Sequence, residues 1–430
     1  MTKELHIVWF RRDLRLYDQA ALSAALSAGV PILPLFIFDE HIIDELPRQD
    51  ARITHIHQTL QLLNEQLKAY GSSLLVVKGT PEQVFEELTA AYNIGAVFLN
   101  RDYEPYAIKR DRAIEQLLAT KNIAFHSCKD QVIFEQGEVT KDDGNPYTVF
   151  TPYSKKWKTQ FRESMVKPFE CSLSAEKFVQ HQFPFPSLNE LGFEPSSIPV
   201  PEVNWKELGN YADLRNLPAS DSTSKLSVHL RFGTISTRDA VAKALKLGDT
   251  FLNELIWREF FMQILWHFPE AAAHNFKRKY DGIAWRNDAD EFRRWCDGQT
   301  GYPIVDAGMR ELNQTGFMHN RVRMITASFL CKHLLIDWKW GEAYFAEKLL
   351  DYDLALNNGN WQWVAGTGCD AAPYFRVFNP DAQTERFDPD RKYIKKWVPE
   401  VGTGSYPAPM VDHNMARKRA LEVYKAGLGS

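Results

Sequence analysis

Six residues near the amino end, Leu5 to Phe10, read LHIVWF. The run is apolar at nearly every position, not at every second one, which suits a strand buried on both faces, as in a parallel sheet. Three runs of the same kind follow: PILPLFIF at 31–38, SLLVVKG at 73–79 and GAVFLNR at 95–101. Helical patterns separate them, such as ARITHIHQTLQLLNEQLKAYG at 51–71. Short apolar runs alternating with helices predict a doubly wound, Rossmann-like parallel α/β domain over residues 1–130. Neither GxGxxG nor GxxxxGK[ST] occurs in it, which removes the usual dinucleotide and P-loop readings.

Farther along, the texture changes. Residues 131–204 contain DDGNPYT, FPFPS and EPSSIPVPEV, a Pro- and Ser-rich composition that predicts an interdomain linker. From 205 to 430 the periodicity is helical and no alternating strand pattern is seen, so an all-α domain is expected. DTFLNELIWREFFMQILWHF (249–268) carries apolar residues at helical spacing, and PIVDAGMRELNQTG (303–316) runs from a Pro start to a Gly stop. AYFAEKLLDYDLALNNG (343–359) is expected to end at its glycine in the same way.

The chain has 430 residues, 44% hydrophobic and 25% charged, as a two-domain globular protein would. Net charge is −4, which excludes an extended polybasic tail but not a local basic patch. Residues 1–200 hold 21 basic and 26 acidic side chains, and residues 201–430 hold 30 and 29, so the second half is the one suited to face an anion. Five scattered cysteines have no zinc-ligand or CxxC spacing, which predicts reduced thiols and a cytoplasmic location. MTKELHIVWF has no apolar leader, and no run is long enough to span a membrane.

Nine of the 12 tryptophans fall between Trp257 and Trp397, and two of them end the stretch NNGNWQW at 357–363. Read alone, that stretch is either a capping loop before core tryptophans or a polar-aromatic wall for an aromatic ligand. Its neighbours decide between them. LLDYDLA precedes it and GCDAAPYFRVFNP follows; TSKLSVHLRFG lies at 223–233 and TGYPIVDAGMRELNQTGFMHNRVRM at 300–324. With VWFRRDLRLYDQAAL, NRDYEPY, KDQVIFEQGEV, GNPYTVFTPY and WVPE, these segments resemble the photolyase/cryptochrome flavoprotein family, most of all its class I cyclobutane pyrimidine dimer photolyases. The resemblance covers over nine-tenths of the chain.

That resemblance implies FAD bound by the helical domain. Asn357 matches the amide near the flavin N5, where a carbonyl oxygen favours the reduced ring. Asp351 and Asp353 match carboxylates beside the flavin ring and ribose, and Arg323 the partner of the first. Thr223, Ser224, Lys225, Leu226 and Ser227 match the phosphate-binding segment, with Lys225 where Arg is usual. Tyr211 matches a further FAD contact. Trp361, Trp338 and Trp285 match a chain of indoles that carries electrons from the surface to the flavin.

For the substrate, the resemblance implies UV-damaged DNA, double- or single-stranded, with the dimer flipped out of the stack. Glu254 and Trp257, at i, i+3, match the acid and indole that contact the dimer; Asn320, Met324 and Trp363 match the rest of that pocket. Arg215, Arg321 and Arg376 match contacts to the DNA backbone, which position the duplex without reading sequence. Phe317 stands where class I members often have Trp. Asn320 and Met324 stand where (6-4) enzymes carry histidine. NNGNWQW differs from the NYGNWNY usual in DASH-type cryptochromes.

The α/β domain is expected to hold, at most, one further antenna chromophore. Tyr106 and Ala107 occupy places where folate-binding relatives have an Asn-Glu pair, which favours a deazaflavin or a flavin over a folate. The implied activity is light-driven repair by reduced FAD in a monomer that does not engage membranes. The alternative is a cryptochrome-type blue-light photoreceptor without repair, and a metabolite flavoenzyme lacks any nicotinamide fingerprint.

Overall fold

A computed structural model describes residues 3–429. The chain divides into two compact units, each assembled from separated segments. The first draws on Met1–Glu138, Gln160–Val200 and Ser227–Lys246, the second on Val139–Thr159, Pro201–Leu226 and Leu247–Ser430.

In the first unit the apolar runs form the strands β1 (Leu5–Phe10), β2 (Ile32–Asp39), β3 (Leu75–Gly79) and β4 (Ile94–Asn100), with β5 (Ala124–Cys128) at one edge. All neighbours pair in parallel in the order β3-β2-β1-β4-β5, the doubly wound arrangement. Ile7, Leu33, Leu35 and Val97 are wholly buried, because helices cover both faces of such a sheet. Asp50 caps the helix Ala51–Lys68 through the Arg52 N–H, and Pro81 and Pro105 open the next two helices. The strand order reverses between β1 and β4, and the carboxyl ends there are where this fold offers a ligand crevice. An ionic network occupies that end: Arg12 lies 3.1 Å from Asp102 and 3.0 Å from Glu104, and Arg231 lies 2.9 Å from Glu104.

Residues 227–246 group with this sheet for an electrostatic reason. Arg238 pairs with Asp18 at 2.7 Å and with Asp130 at 2.6 Å, while Arg15 meets Asp130 at 2.6 Å, all on buried side chains. Without Arg238, the Asp18 carboxylate would lose its ion pair and Asp130 one of its two, far from water.

Among the described residues the second unit is built from helices without a strand. Trp295, Met309, Val322, Phe329 and Leu330 fill its core at zero exposure. Pro303–Thr315 stops at Gly316, which is left-handed (φ 65°) as a glycine stop requires. The segment 343–359 behaves differently from the expectation that it ends at Gly359. One helix, Trp338–Lys348, stops before Leu349; a new one, Leu354–Ala365, starts where the Asp353 side chain accepts the Leu356 N–H and ends at left-handed Gly366. NNGNWQW is therefore helical throughout. Gly359 sits mid-helix because the Phe261 ring occupies its side-chain space: a Cβ there would lie 2.2 Å from the ring. No helix among the described residues is long and apolar enough to cross a membrane.

Candidate functional site

Helix Asp249–His267 presents Glu254 and Trp257 one turn apart, as their spacing predicted. Both are half-buried. Glu254 receives the Arg215 guanidinium at 2.5 Å, and Arg215 also lies 5.5 Å from the Tyr211 ring centre. Burial raises the Glu254 pKa and the Arg215 pair opposes the rise. Trp257 is stacked on Phe150, with ring centres 3.7 Å apart and planes within 5°. Its other close ring neighbours are Phe260, edge-on, and Phe261. Phe150 was not legible as a site residue: it lies more than 100 positions upstream in a segment read as linker.

Through the contact of Phe261 with Gly359, this helix lies directly against Leu354–Ala365, which carries Asn357, Trp361 and Trp363. Asn357 is buried, and its Nδ2 donates to the Glu342 backbone oxygen (3.0 Å) and carboxylate (2.9 Å). Both partners accept, so the amide orientation is fixed and Oδ1 is left as the acceptor. Burial raises the Glu342 pKa, opposed by this bond. Glu342 also escaped the sequence reading, since nothing in its surroundings marks it.

Arg323 grips Asp351 with two parallel bonds of 3.1 and 2.9 Å, and its Nε donates to the Met318 oxygen at 2.7 Å. The fork geometry suits a guanidinium on a carboxylate. Asp353 is buried at the helix cap. Asn320 and Met324 lie one turn apart on Asn320–Ser328, the first exposed and the second half-buried. Phe317 lies near two cations, with Lys225 Nζ 5.1 Å and the Arg323 guanidinium 5.6 Å from its ring centre.

In the Thr223–Ser227 segment, Ser224 Oγ accepts the Leu226 N–H at 3.3 Å, and its backbone oxygen accepts from Asn204 at 2.9 Å. Lys225 adopts φ 55°, a left-handed turn that few non-glycine residues take. Its ammonium reaches the exposed Asp221 at 3.0 Å. Ser227 is exposed on the short helix that follows.

Two of the three indoles lie in the core and the third is half-buried. Trp361 (3% exposed) rests its ring on Gly341, in the first turn of the helix that begins at Trp338. Trp338 (1%) donates its N–H to Asn275 at 2.8 Å. Trp285 is half-buried and lies 5.8 Å edge-on to Tyr424. Backbone bonds from Arg286 to Leu335 (2.7 Å) and from Asp337 to the Asn287 side chain (2.8 Å) hold the last two segments together.

The basic residues repel one another. Arg321 donates to the neutral Asn216 amide at 2.7 Å and packs on Phe387. Burial, Arg215 and Arg386 together lower its pKa, which is the signature of a cation cluster short of anions. Arg376 is exposed in the loop after Gly366. Hydroxyls and surplus cations suit phosphates, and a fixed amide oxygen with a buried Arg–Asp fork suits a polar heteroaromatic ring. These residues fit a flavin dinucleotide.

Comparison with known proteins agrees. The family described as "DNA photolyase" matches residues 6–173, and "FAD binding domain of DNA photolyase" matches residues 251–405. A deoxyribodipyrimidine photo-lyase of Vibrio cholerae is 35% identical, with 99% of this chain and 100% of the relative covered. Among solved structures, a class III photolyase from Agrobacterium tumefaciens superposes with TM-score 0.89 at 35% identity, covering 100% of this chain and 98% of that one. An archaeal photolyase from Sulfolobus tokodaii, described with two FAD molecules, gives 0.85 at 34% identity, covering 98% and 100%.

Proposed function

The chain belongs to the DNA photolyase family, and from that premise we propose that it is a light-driven DNA repair enzyme, a deoxyribodipyrimidine photo-lyase that splits cyclobutane pyrimidine dimers in UV-damaged DNA. The observation that carries the reading is the direct contact of two helices, one bearing Glu254 and Trp257, the other Asn357, Trp361 and Trp363. Groups suited to a damaged base and groups suited to a flavin are thereby held in one place.

FAD, bound and reduced, supplies on absorbing light the electron that opens the cyclobutane ring and takes it back. Asn357, held by Glu342, offers an oxygen at a fixed place, which selects a flavin carrying hydrogen on N5. Asp351, held by Arg323, is the matching anchor. Glu254 faces the pyrimidine edges as a hydrogen-bonding group, its pKa raised by burial against the pull of Arg215. Trp257, backed by Phe150, and Trp363 offer flat faces for a flipped-out base. Asn320 and Met324 complete the pocket. Trp361, Trp338 and Trp285 bring electrons inward. Arg215, Arg321 and Arg376 hold the DNA backbone, and the protein works as a monomer.

The deciding experiment is repair of a defined thymine-dimer oligonucleotide by the reduced protein in blue or near-UV light, against a dark control. Light-dependent recovery of intact thymines is expected. A protein that holds reduced FAD yet restores none would refute repair, and equal dark affinity for irradiated and intact DNA would point to the photoreceptor alternative.

A further inference from the structure

Of the three indole N–H groups on the electron path, only that of Trp338 has an acceptor among the described residues: the Asn275 side-chain oxygen, at 2.8 Å. An indole nitrogen donates and does not accept, so the amide must turn its oxygen inward, and its Nδ2 accordingly donates to Asp281 at 2.8 Å. Asn275 and Trp338 are both buried.

The loop that carries Asn275 is held by two amides that the reading above leaves unused, Asn358 and Gln362 of NNGNWQW. Gln362 accepts the Phe276 N–H at 2.8 Å and donates to the backbone oxygens of Ala271 (2.9 Å) and His274 (3.2 Å). Asn358 donates to the Ala272 oxygen at 3.3 Å and accepts from Gln362 at 3.0 Å. Gln362 follows Trp361 in the chain, so the helix that bears the inner indole also fixes the oxygen that meets the middle one.

The ionised side chains beside these groups answer one another. Asp281 is paired with Arg278 at 2.9 Å. Asp337, which caps the helix at Trp338, is matched by Lys339, whose Nζ lies 6.0 Å from the Trp338 ring centre. The helix start itself is left over, and its positive end disfavours a cation on the first residue. A buried indole placed there needs a partner for the charge it acquires on losing an electron, and the fixed amide dipole is in contact with it. A hydrogen bond from a charged donor is about twice as strong as one from a neutral donor, so the Asn275 bond strengthens as Trp338 is oxidised.

We propose that Asn275, held by Gln362 and Asn358, is a positioning residue of the electron path: its oxygen stabilises oxidised Trp338 and draws the positive hole outward from Trp361. The inference rests on the electron path of the reading above. Trp361 gives one electron to the light-excited, oxidised flavin, and Trp338 gives one to Trp361. No bond breaks, and the proton stays on the Trp338 nitrogen, because an amide oxygen is too weak a base to remove it.

The test is made in a Trp285→Phe background, where the hole stops at Trp338. Asn275→Leu keeps the size of the side chain and removes the acceptor. Asn275→Asp keeps an acceptor, since its carboxyl shares a proton with Asp281 and meets it as the amide did. Asn275→Ala repeats the measurement should the leucine variant fold poorly. Each protein, loaded with oxidised FAD, is followed by transient absorption after a laser flash, beside a thermal melt. Loss of the acceptor is expected to speed the return of the electron from the flavin about five- to tenfold with an unshifted flavin spectrum, and Asn275→Asp to restore the slower return whatever its melting point. An unchanged return in Asn275→Leu, or one as fast in Asn275→Asp as in Asn275→Leu, overturns the proposal. A Trp338→Phe variant that photoreduces its flavin at the wild-type rate would refute the electron path itself, and this inference with it.

Discussion

Replacing Gly341 with alanine drives a methyl group into the ring of Trp361. A Cβ at position 341 lies 2.1 Å from Cη2 and 2.5 Å from Cζ3 of that ring, and 2.6 Å from a Leu330 methyl. Ordinary contact begins at 3.4 Å, so the ring must recede by the difference from 2.1 Å, roughly 1.3 Å. It has nowhere to go: Trp361 is 3% exposed, with Phe345 5.0 Å and Trp295 6.2 Å away, both edge-on. Overpacking of this kind costs about 1–3 kcal/mol, while alanine returns about 1 kcal/mol of helix propensity. The net loss of up to about 2 kcal/mol lowers the melting point by up to about 8 °C for a body of 150–250 residues. The assay pairs a thermal melt with the rate of light-driven flavin reduction by an external donor. A displaced Trp361 should slow that reduction, because its ring joins the helix of Trp338. A variant that melts no lower and photoreduces at the wild-type rate would refute both the packing argument and the proposed electron path.

Other consequences are testable alongside it. Arg323→Ala strips Asp351 of its partner and should cost about 2 kcal/mol, less than a fully buried pair because Arg323 is a quarter exposed, with visible FAD loss on gel filtration. Glu254→Gln keeps FAD but should weaken dark binding of a dimer-containing oligonucleotide by about tenfold, read by titration. Burial pushes His55 and His319 down to about 4 and His333 to about 3. The unfolded chain therefore binds protons these rings refuse as the pH falls below 6.5, and urea midpoints should drop steadily from pH 6.5 to 4. Lys332 follows the same rule in a higher pH window. Burial lowers it to about 7, so between pH 7 and 10.5 the unfolded state binds the extra proton, stability rises with pH, and Lys332→Met should remove that rise.

The strands were readable because a doubly buried parallel strand leaves an unbroken apolar run, and β1 to β4 each have one. β5, AFHSC, is too polar and too much at the edge to announce itself. NNGNWQW misled where local rules meet tertiary packing: a glycine that would stop an isolated helix is retained mid-helix by the Phe261 ring. At the site, pairs within one helix, such as Glu254 with Trp257, follow from spacing. The partners that orient them, Phe150 on Trp257 and Glu342 on Asn357, come from other segments and have no periodicity to betray them.

Arg238 constrains how the chain can be made. The sheet is synthesised by residue 128, yet Asp18 and Asp130 get their shared cation only when residue 238 has emerged. In between come Val139–Thr159 and Pro201–Leu226, which belong to the other unit. Vectorial folding, amino-terminal unit first, is thus interrupted: the nascent sheet must wait, with unsated carboxylates, for about another hundred residues. The same geometry forbids dissection. A fragment cut after the sheet would lack Phe169, Ser236 and Arg238, the groups that hold the Asp18 carboxylate.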